Sequence, residues 1–372
     1  MSKITRLAWA VGILAVVLAA AACGSSSSSS SAGSGAGSSG SSATATSASS
    51  SSSAPSTIHL TFAESVPTPA APQVELATAL GIFKQVGLTV KPLYVGANIA
   101  SEVVSGQAQI GNLGAAGIVS IAQAGKPTTA VWASLGNAIA GMLVTKSSIT
   151  SLDQLKSLSS CKLAGLTPGT SNYGWGAHYI ETLPLHCTHV QYGSDPAIVG
   201  ACATGQVDAC TGLASEYAPL AAAHKVNILI DTRKPADVQK YIGTPFSDVV
   251  YWGLSSWIKS NPTAVNRFVK AMVLTDKAIH TEPIPKLAAL LHKNPNFATF
   301  SLAALTANLE ESFPYYNTPD HGYISKQNWD TGLKAEASWG IKGFDPNAAI
   351  SSYQSRVDMS YYDTAAGGPP PQ

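Results

Sequence analysis

From Ile58 the polar and apolar positions fall into short, repeated patterns. IHLTFA (58–63) places apolar side chains at every second position, the period of a half-buried strand. PQVELATALGIFKQVG (72–87) changes to helical spacing and stops at Gly87. LTVKPLYV (88–95) reads as a second strand despite Pro92, NIASEVVSG (98–106) as a second helix, and AQIGNLG (108–114) as a short buried strand. The order is β-α-β-α-β. After a linker helix, SLDQLKSL, the same order returns. CKLAGL (161–166), THVQYG (188–193) and VDACTGL (207–213) are its strands, and SNYGWGAHYIETL (171–183) and PAIVGACATG (196–205) its helices.

The two copies end their second helices alike, in Ser105-Gly106-Gln107 and Thr204-Gly205-Gln206. Glycine at that point is a helix-ending residue that turns the chain into the next strand. Strands alternating with helices call for parallel sheets covered on both faces, and two copies call for two doubly wound α/β lobes. The chain leaves the first lobe near GMLVTK (141–146) and returns near VVYWGLSS (249–256). These crossovers are expected to form the hinge, with the helices after Asn261 packed back on the first lobe. The expected domains are 57–143 plus 250–372 for lobe 1 and 144–249 for lobe 2.

The first residues change the picture of where the protein works. Lys3 and Arg6 precede an uncharged stretch from Leu7 to Ala22, which suits a signal peptide over residues 1–22 better than a membrane span. The stretch ends in small residues before Cys23, an arrangement that resembles the lipobox of bacterial lipoproteins, although Ala20 stands where that motif has Leu. A plain secretory cleavage site is the alternative. Residues 24–54 are only Gly, Ser, Ala and Thr, so 23–56 reads as a lipidated cysteine followed by a flexible tether. Such a tether holds the body roughly 30 Å from a membrane surface. The expected location is extracytoplasmic, lipid-anchored to the outer face of the bacterial cell membrane.

Charge excludes one class of partner. The net charge is +1 and only 12% of residues are charged, with no basic patch for nucleic acid. Four cysteines remain beyond Cys23, and an even count in an exported chain allows three disulfide connectivities. The fold favours Cys161–Cys187, which begin adjacent parallel strands, and Cys202–Cys210, which bracket a helix–turn–strand step. Zinc on Cys187 with His186 and His189 competes, but no CxxC spacing supports it. No cofactor or catalytic motif is found, and the chain is expected to act as a monomer.

Ligands of such sheets sit beyond the carboxyl ends of the strands. The loops expected there are AESVP (63–67), VGAN (95–98), NLGAAG (112–117), LGNAI (135–139), PGTSN (168–172), GSDPA (193–197), TGLASEY (211–217) and YWGLS (251–255). None contains Lys or Arg, and the acids are Glu64, Asp195 and Glu216. Asp195, before Pro196, reads as a helix cap. Thr170, Ser171 and Asn172 open a helix, where they can cap it or hold an anion. Glu64 and Glu216, from opposite lobes, suit a ligand with ammonium or ring N–H donors. Tyr173 and Trp252, with Tyr251, could sandwich a flat ligand. Ser65, Gly114, Ala115 and Asn137 complete the candidate contacts.

PQVELATALGIFKQVGLTV, GANIASEVVSGQAQIGNLGAAGIVSIAQAGKP, SITSLDQLKSLSSCKLAGLTPGTS and ATGQVDACTGLASEYAP together are similar to the nitrate/sulfonate/taurine and thiamine-precursor group of solute-binding proteins that serve ABC importers. The resemblance covers Thr57 to about Gly332. It implies a type II periplasmic-binding-protein clamshell that closes on a small solute and delivers it to an ABC permease and ATPase complex. A pyrimidine-forming enzyme within the wider family shares the fold, so an enzyme, or a ligand sensor, is the alternative. The acid-rich, base-free loops point to a zwitterionic sulfonate or an aminopyrimidine-like ligand rather than a bare anion.

Overall fold

The computed structural model describes residues 56–135, 141–166, 168, 170–243, 246–247, 249–317 and 319–370. The signal sequence, Cys23, most of the tether and Asn137 lie outside the described residues. In chain order the first half of the body comprises β1 (Ile58–Glu64), α1 (Gln73–Ala79), α2 (Ile82–Gln85), β2 (Leu88–Tyr94), α3 (Ile99–Val104), β3 (Ile110–Gly114), α4 (Ala115–Gln123) and β4 (Thr128–Leu135). The second set is β5 (Met142–Lys146), α5 (Leu152–Ser157), β6 (Cys161–Gly165), α6 (Ser171–Thr182), β7 (Cys187–Gln191), α7 (Asp195–Ala203), β8 (Ala209–Gly212), α8 (Ala214–Ala222), β9 (Val226–Ile230) and α9 (Pro235–Tyr241). The chain then returns through β10 (Val249–Leu254), α10 (Ser255–Ser260), α11 (Pro262–Thr281), α12 (Ile284–His292), α13 (Leu302–Ser312), α14 (Lys326–Glu336), α15 (Tyr353–Arg356) and α16 (Ser360–Ala366).

Two five-stranded sheets carry the two lobes of an α/β clamshell, with the orders β2-β1-β3-β10-β4 and β7-β6-β8-β5-β9. The orders correspond strand for strand, so the repeated sequence is a repeated sheet. The repeated turn behaves alike in both copies. Gly106 and Gly205 have φ of 82° and 72°, and their N–H groups donate to Val103 and Cys202. A wider turn closes around each glycine, with the Ala108 N–H donating to the Glu102 carbonyl and the Gln206 N–H to the Ala201 carbonyl, one residue shorter in the second copy.

Several expectations need correction. The sheets are mixed, because β10 runs antiparallel between β3 and β4, and β5 antiparallel between β8 and β9. The strands at 142–146 and 249–254 are thus inner sheet members, and the passages between lobes fall between Leu135 and Met142 and between Tyr241 and Val249. The helix expected over 72–87 is broken at Gly81, whose φ of 72° favours glycine and separates α1 from α2. Each lobe also gains a helix and strand beyond the repeat, α4 with β4 and α8 with β9. Pro92 is tolerated because β2 is an edge strand.

Lobe 1 packs both faces of its sheet, with Phe62, Tyr251 and Phe268 in mutual ring contact and Trp132 and Trp252 fully buried. Lobe 2 is crosslinked. Cys161 and Cys187 are register partners on β6 and β7 and are bridged, as are Cys202 and Cys210. The C-terminal helices do not all return to lobe 1. Trp339, just beyond α14, is buried against α6 of lobe 2, beside Trp175.

Candidate functional site

In lobe 2 the carboxyl ends of β6 and β8 gather four polar side chains. Asn172, in the first turn of α6, donates from Nδ2 to the Thr211 carbonyl (2.9 Å) and to Asp195 Oδ1 (3.3 Å). Thr211 Oγ1 donates back to the Asn172 carbonyl (2.6 Å). Glu216 stands in the first turn of α8, where its Oε2 accepts from the Leu213 N–H (2.9 Å). Residue 212 has to be glycine, since a Cβ there would lie 2.6 Å from that oxygen. Burial, then the charge of Asp195, push the Glu216 carboxyl up to about 7. Burial raises Asp195 as well. Two acids thus crowd one strand end, and among the described residues no basic side chain lowers either of them.

Lobe 1 has its own acid pair. Glu64 ends β1 and Glu75 sits in α1, both buried, and the charge of Glu75 acts on Glu64. Burial first, then the neighbouring Glu75, raise Glu64 far above the usual carboxylate range, so Glu64 keeps its proton at neutral pH. Tyr94 donates to Glu75 Oε1 (2.7 Å), and Tyr251 donates to Gln73 Oε1 (2.9 Å), while Gln73 Nε2 donates to the Ser134 carbonyl (2.7 Å). Among the described residues, Glu64 Oε1 and Ser134 Oγ are buried without a hydrogen-bond partner. Sequence reasoning missed Gln73, Glu75 and Ser134. A carboxylate inside the apolar run VELATA was the available signal.

A further acid closes the other strand end of this lobe. Glu336, fully buried at the end of α14, accepts from the backbone N–H groups of Ala115 (3.3 Å) and Ala116 (2.5 Å), the first turn of α4. Gly114 and Ala115, the candidate loop contacts, open α4 instead, and the helix start there is filled by the chain's own carboxylate. At α6 Thr170 is the cap, its Oγ1 accepting from the Tyr173 N–H (3.3 Å).

The lobes meet where Leu213 packs on a lobe 1 cluster that includes Leu76, Leu135 and Tyr316. A small cavity beside it is lined by Ala70, Leu213, Ser215, Arg233, Glu311 and Ser312. Arg233 overturns the base-free expectation, and with it the argument from base-free loops, because it reaches this face from lobe 2. It is paired on both sides, with Asp231 by two bonds of 2.8 and 2.7 Å and with Glu311 of α13. Trp252 is fully buried in the lobe 1 core, not at the face. Tyr173 is committed to stacking on His189, with ring centroids 4.1 Å apart. Ser65 is exposed on its loop, Ser171 is half-buried at the start of α6, and Asp195 is the first helical residue of α7, Ser194 holding the cap position.

A family model described as NMT1/THI5 like matches residues 73–284, more than half of the chain. The chain belongs to this family. No curated protein matches it. Among solved structures, a protein from Bordetella bronchiseptica RB50 is similar at 20% identity and a TM-score of 0.69, covering 83% of this chain and 97% of that one. The periplasmic aliphatic sulphonate binding protein of Escherichia coli is similar at 14% identity and 0.57, over 76% and 86%. The periplasmic nitrate-binding protein of Synechocystis PCC 6803 gives 9% and 0.61, over 85% and 90%. At such identities the likeness fixes the shape of the NMT1/THI5-like clamshell. The chemistry of the site has to come from this chain's own acids and capped helix ends.

Proposed function

We propose that the protein is an extracytoplasmic solute-binding component of an ABC importer, which closes its two lobes on a small organic solute carrying amine or ring N–H donors. The observation that carries the ligand class is the contrast at the strand ends. The α4 terminus is filled from within by Glu336 and α6 is capped by Thr170, while Glu216 is crowded by Asp195 and Glu64 Oε1 is buried without a hydrogen-bond partner among the described residues. A donor-rich ligand would relieve the raised carboxyls Glu64 and Glu216, and a bare anion would add to their repulsion. Two structural relatives are a sulphonate- and a nitrate-binding protein. Relative to those ligands, an aminopyrimidine-like compound fits these acids best, and a zwitterionic sulfonate offers its ammonium end. Cys23, if acylated, holds the body at the membrane beside a permease and its ATPase.

The test is a thermal-shift screen of the protein with aminopyrimidines, simple amines, taurine, alkanesulfonates and nitrate. Ligand at 100 times its dissociation constant adds about 2.7 kcal/mol, a clear rise in Tm. A rise with aminopyrimidines or amines that Glu216→Gln diminishes supports the reading. A rise with nitrate or plain sulfonates alone keeps the importer and overturns the donor-rich ligand.

A further inference from the structure

Helix α11 carries a group of metal-competent side chains apart from the strand-end acids. Asp276 and His280 stand one helical turn apart and so project from one face. His321 comes to the same place from the segment between α13 and α14. Its Nδ1 lies 2.8 Å from Asp276 Oδ2, and His280 Nε2 lies 3.7 Å from Asp276 Oδ1. The two imidazoles approach edge to face, with centroids 5.2 Å apart and an interplanar angle of 85°. One ligand atom from each of the three residues falls within 4.8 Å of the others.

Three further observations point to an ion rather than to a simple ion pair. The Asp276 side chain is only 5% exposed, and among the described residues its Oδ1 has no hydrogen-bond partner. That oxygen faces His280 at a distance too long for a hydrogen bond and suited to an intervening ion. The histidines, in contrast, reach an open cavity that Lys277, Thr281 and Tyr362 also line, so the group has an entry path and room for water. The position of His321 is held independently of its ring. Its N–H donates to the Asn317 carbonyl, and Tyr362 donates to its carbonyl oxygen. This cavity shares no lining residue with the one between the lobes.

We infer that Asp276, His280 and His321 form a binding site for a zinc-class divalent ion, with a further coordination position open to water. Imidazole and carboxylate are the donors such ions take, at bonds of about 2.0–2.2 Å. Tetrahedral ligands at that radius stand roughly 3.3 Å apart. Binding therefore draws the histidines together by rotation of side chains that already touch solvent, and Asp276 gives up its direct bond to His321. The ion would tie α11 to the loop whose Gly322 accepts from the Ala133 N–H of β4, so it also clips that loop to the lobe 1 sheet.

The experiment titrates the whole chain with Zn²⁺ alone against a chromophoric chelator, and separately with Co²⁺ followed by visible absorption. One ion per chain and intense cobalt bands of low coordination number are expected. His280→Gln and His321→Asn should each weaken binding at least tenfold, given that losing even an outer partner of a ligand costs ~10–100-fold. His280 is solvent-exposed, and Asn tolerates the positive φ of 48° at position 321, so both variants keep the fold, which circular dichroism would check. Unchanged zinc affinity in the double variant, or no uptake in competition with the chelator, overturns the site. Binding of several ions per chain that persists in the double variant assigns the metal to other surface histidines and does the same.

Discussion

The two lobes share one sheet order and differ in how they are held together. Lobe 1 buries Phe62, Trp132, Trp252, Phe268 and Met272 under the 20-residue α11 and the helices that follow it. Among the described residues lobe 2 has no such cover. It has two disulfides, and it takes Trp339 from a segment some hundred residues beyond its last strand. A unit of about a hundred residues buries a smaller share of its surface than a larger one. Crosslinks and a borrowed tryptophan make up that difference, so the lobes should fail differently when they are removed.

The largest effect is expected from Trp339→Ala. The ring lies where a Cβ on Gly174 would sit within 2.0 Å of it, and it is fully buried against Trp175. Its loss should cost ~3–5 kcal/mol, measured by urea unfolding, with amide exchange rising in α6 before lobe 1 responds. If exchange rises equally in both lobes, the tryptophan supports the whole body and the contrast is lost. Gly174→Ala should fail similarly, because the added carbon would overlap the fully buried indole of Trp339.

Next are the disulfides. Cys161 and Cys187 are 26 residues apart and Cys202 and Cys210 are 8 apart. On the loop-closure account, replacing each pair by Ala costs ~3.5 and ~2.5 kcal/mol respectively. The order is the testable part, read from the midpoints of the two double variants. A reversed order would mean that native packing, not unfolded-chain entropy, sets the contribution of the short link.

Whatever repeats locally was legible in the sequence. The Gly-Gln turns, the β-α-β-α-β order and the cysteines that begin neighbouring strands all follow from spacing along the chain, and the two disulfide pairs came with them. The break at Gly81 was hidden, because the residues flanking it keep helical spacing on both sides. The antiparallel strands were hidden because β10 joins a sheet whose other members precede it by more than a hundred residues. The acids were the hardest. Glu336 contacts a helix end 221 residues away, and Glu75 looks like any helix carboxylate until Glu64 is set beside it. Trp252 failed for the opposite reason, since its place near a strand end says nothing about which side of the sheet it enters.

The acids also distinguish the lobes by where the loss of stability ends, near pH 7 for Glu216 of lobe 2 and about 10 for Glu64 of lobe 1. Glu216 titrates near 7 when folded against 4.5 for an unburied glutamate, so the folded lobe binds its proton more tightly. Stability from this group is fully present below pH 4.5 and is lost as the pH rises toward 7. The loss amounts to no more than ~2 kcal/mol once partial screening by solvent is allowed for. Glu216→Gln should flatten the fall in Tm of lobe 2 between those limits and leave lobe 1 unchanged. An unaltered slope would show that Asp195 carries the proton instead.

The smallest effect is expected where the lobes touch. Arg233 is fixed on lobe 2 by Asp231 and reaches Glu311 on α13, which packs against α12 on the lobe 1 side. Removing the cross-lobe partner by Glu311→Gln leaves Arg233 paired with Asp231, so neither lobe is left with an isolated charge. The cost falls on closure alone and should be ~1 kcal/mol, as for other partly exposed ion pairs. Because ligand affinity is scaled by the fraction of molecules in the closed state, the dissociation constant should rise by up to ~5-fold, while unfolding midpoints of the separate lobes stay put. The effect should shrink with added salt, since a partly exposed pair is screened. A loss of affinity that is indifferent to salt would place Glu311 against the ligand rather than against Arg233.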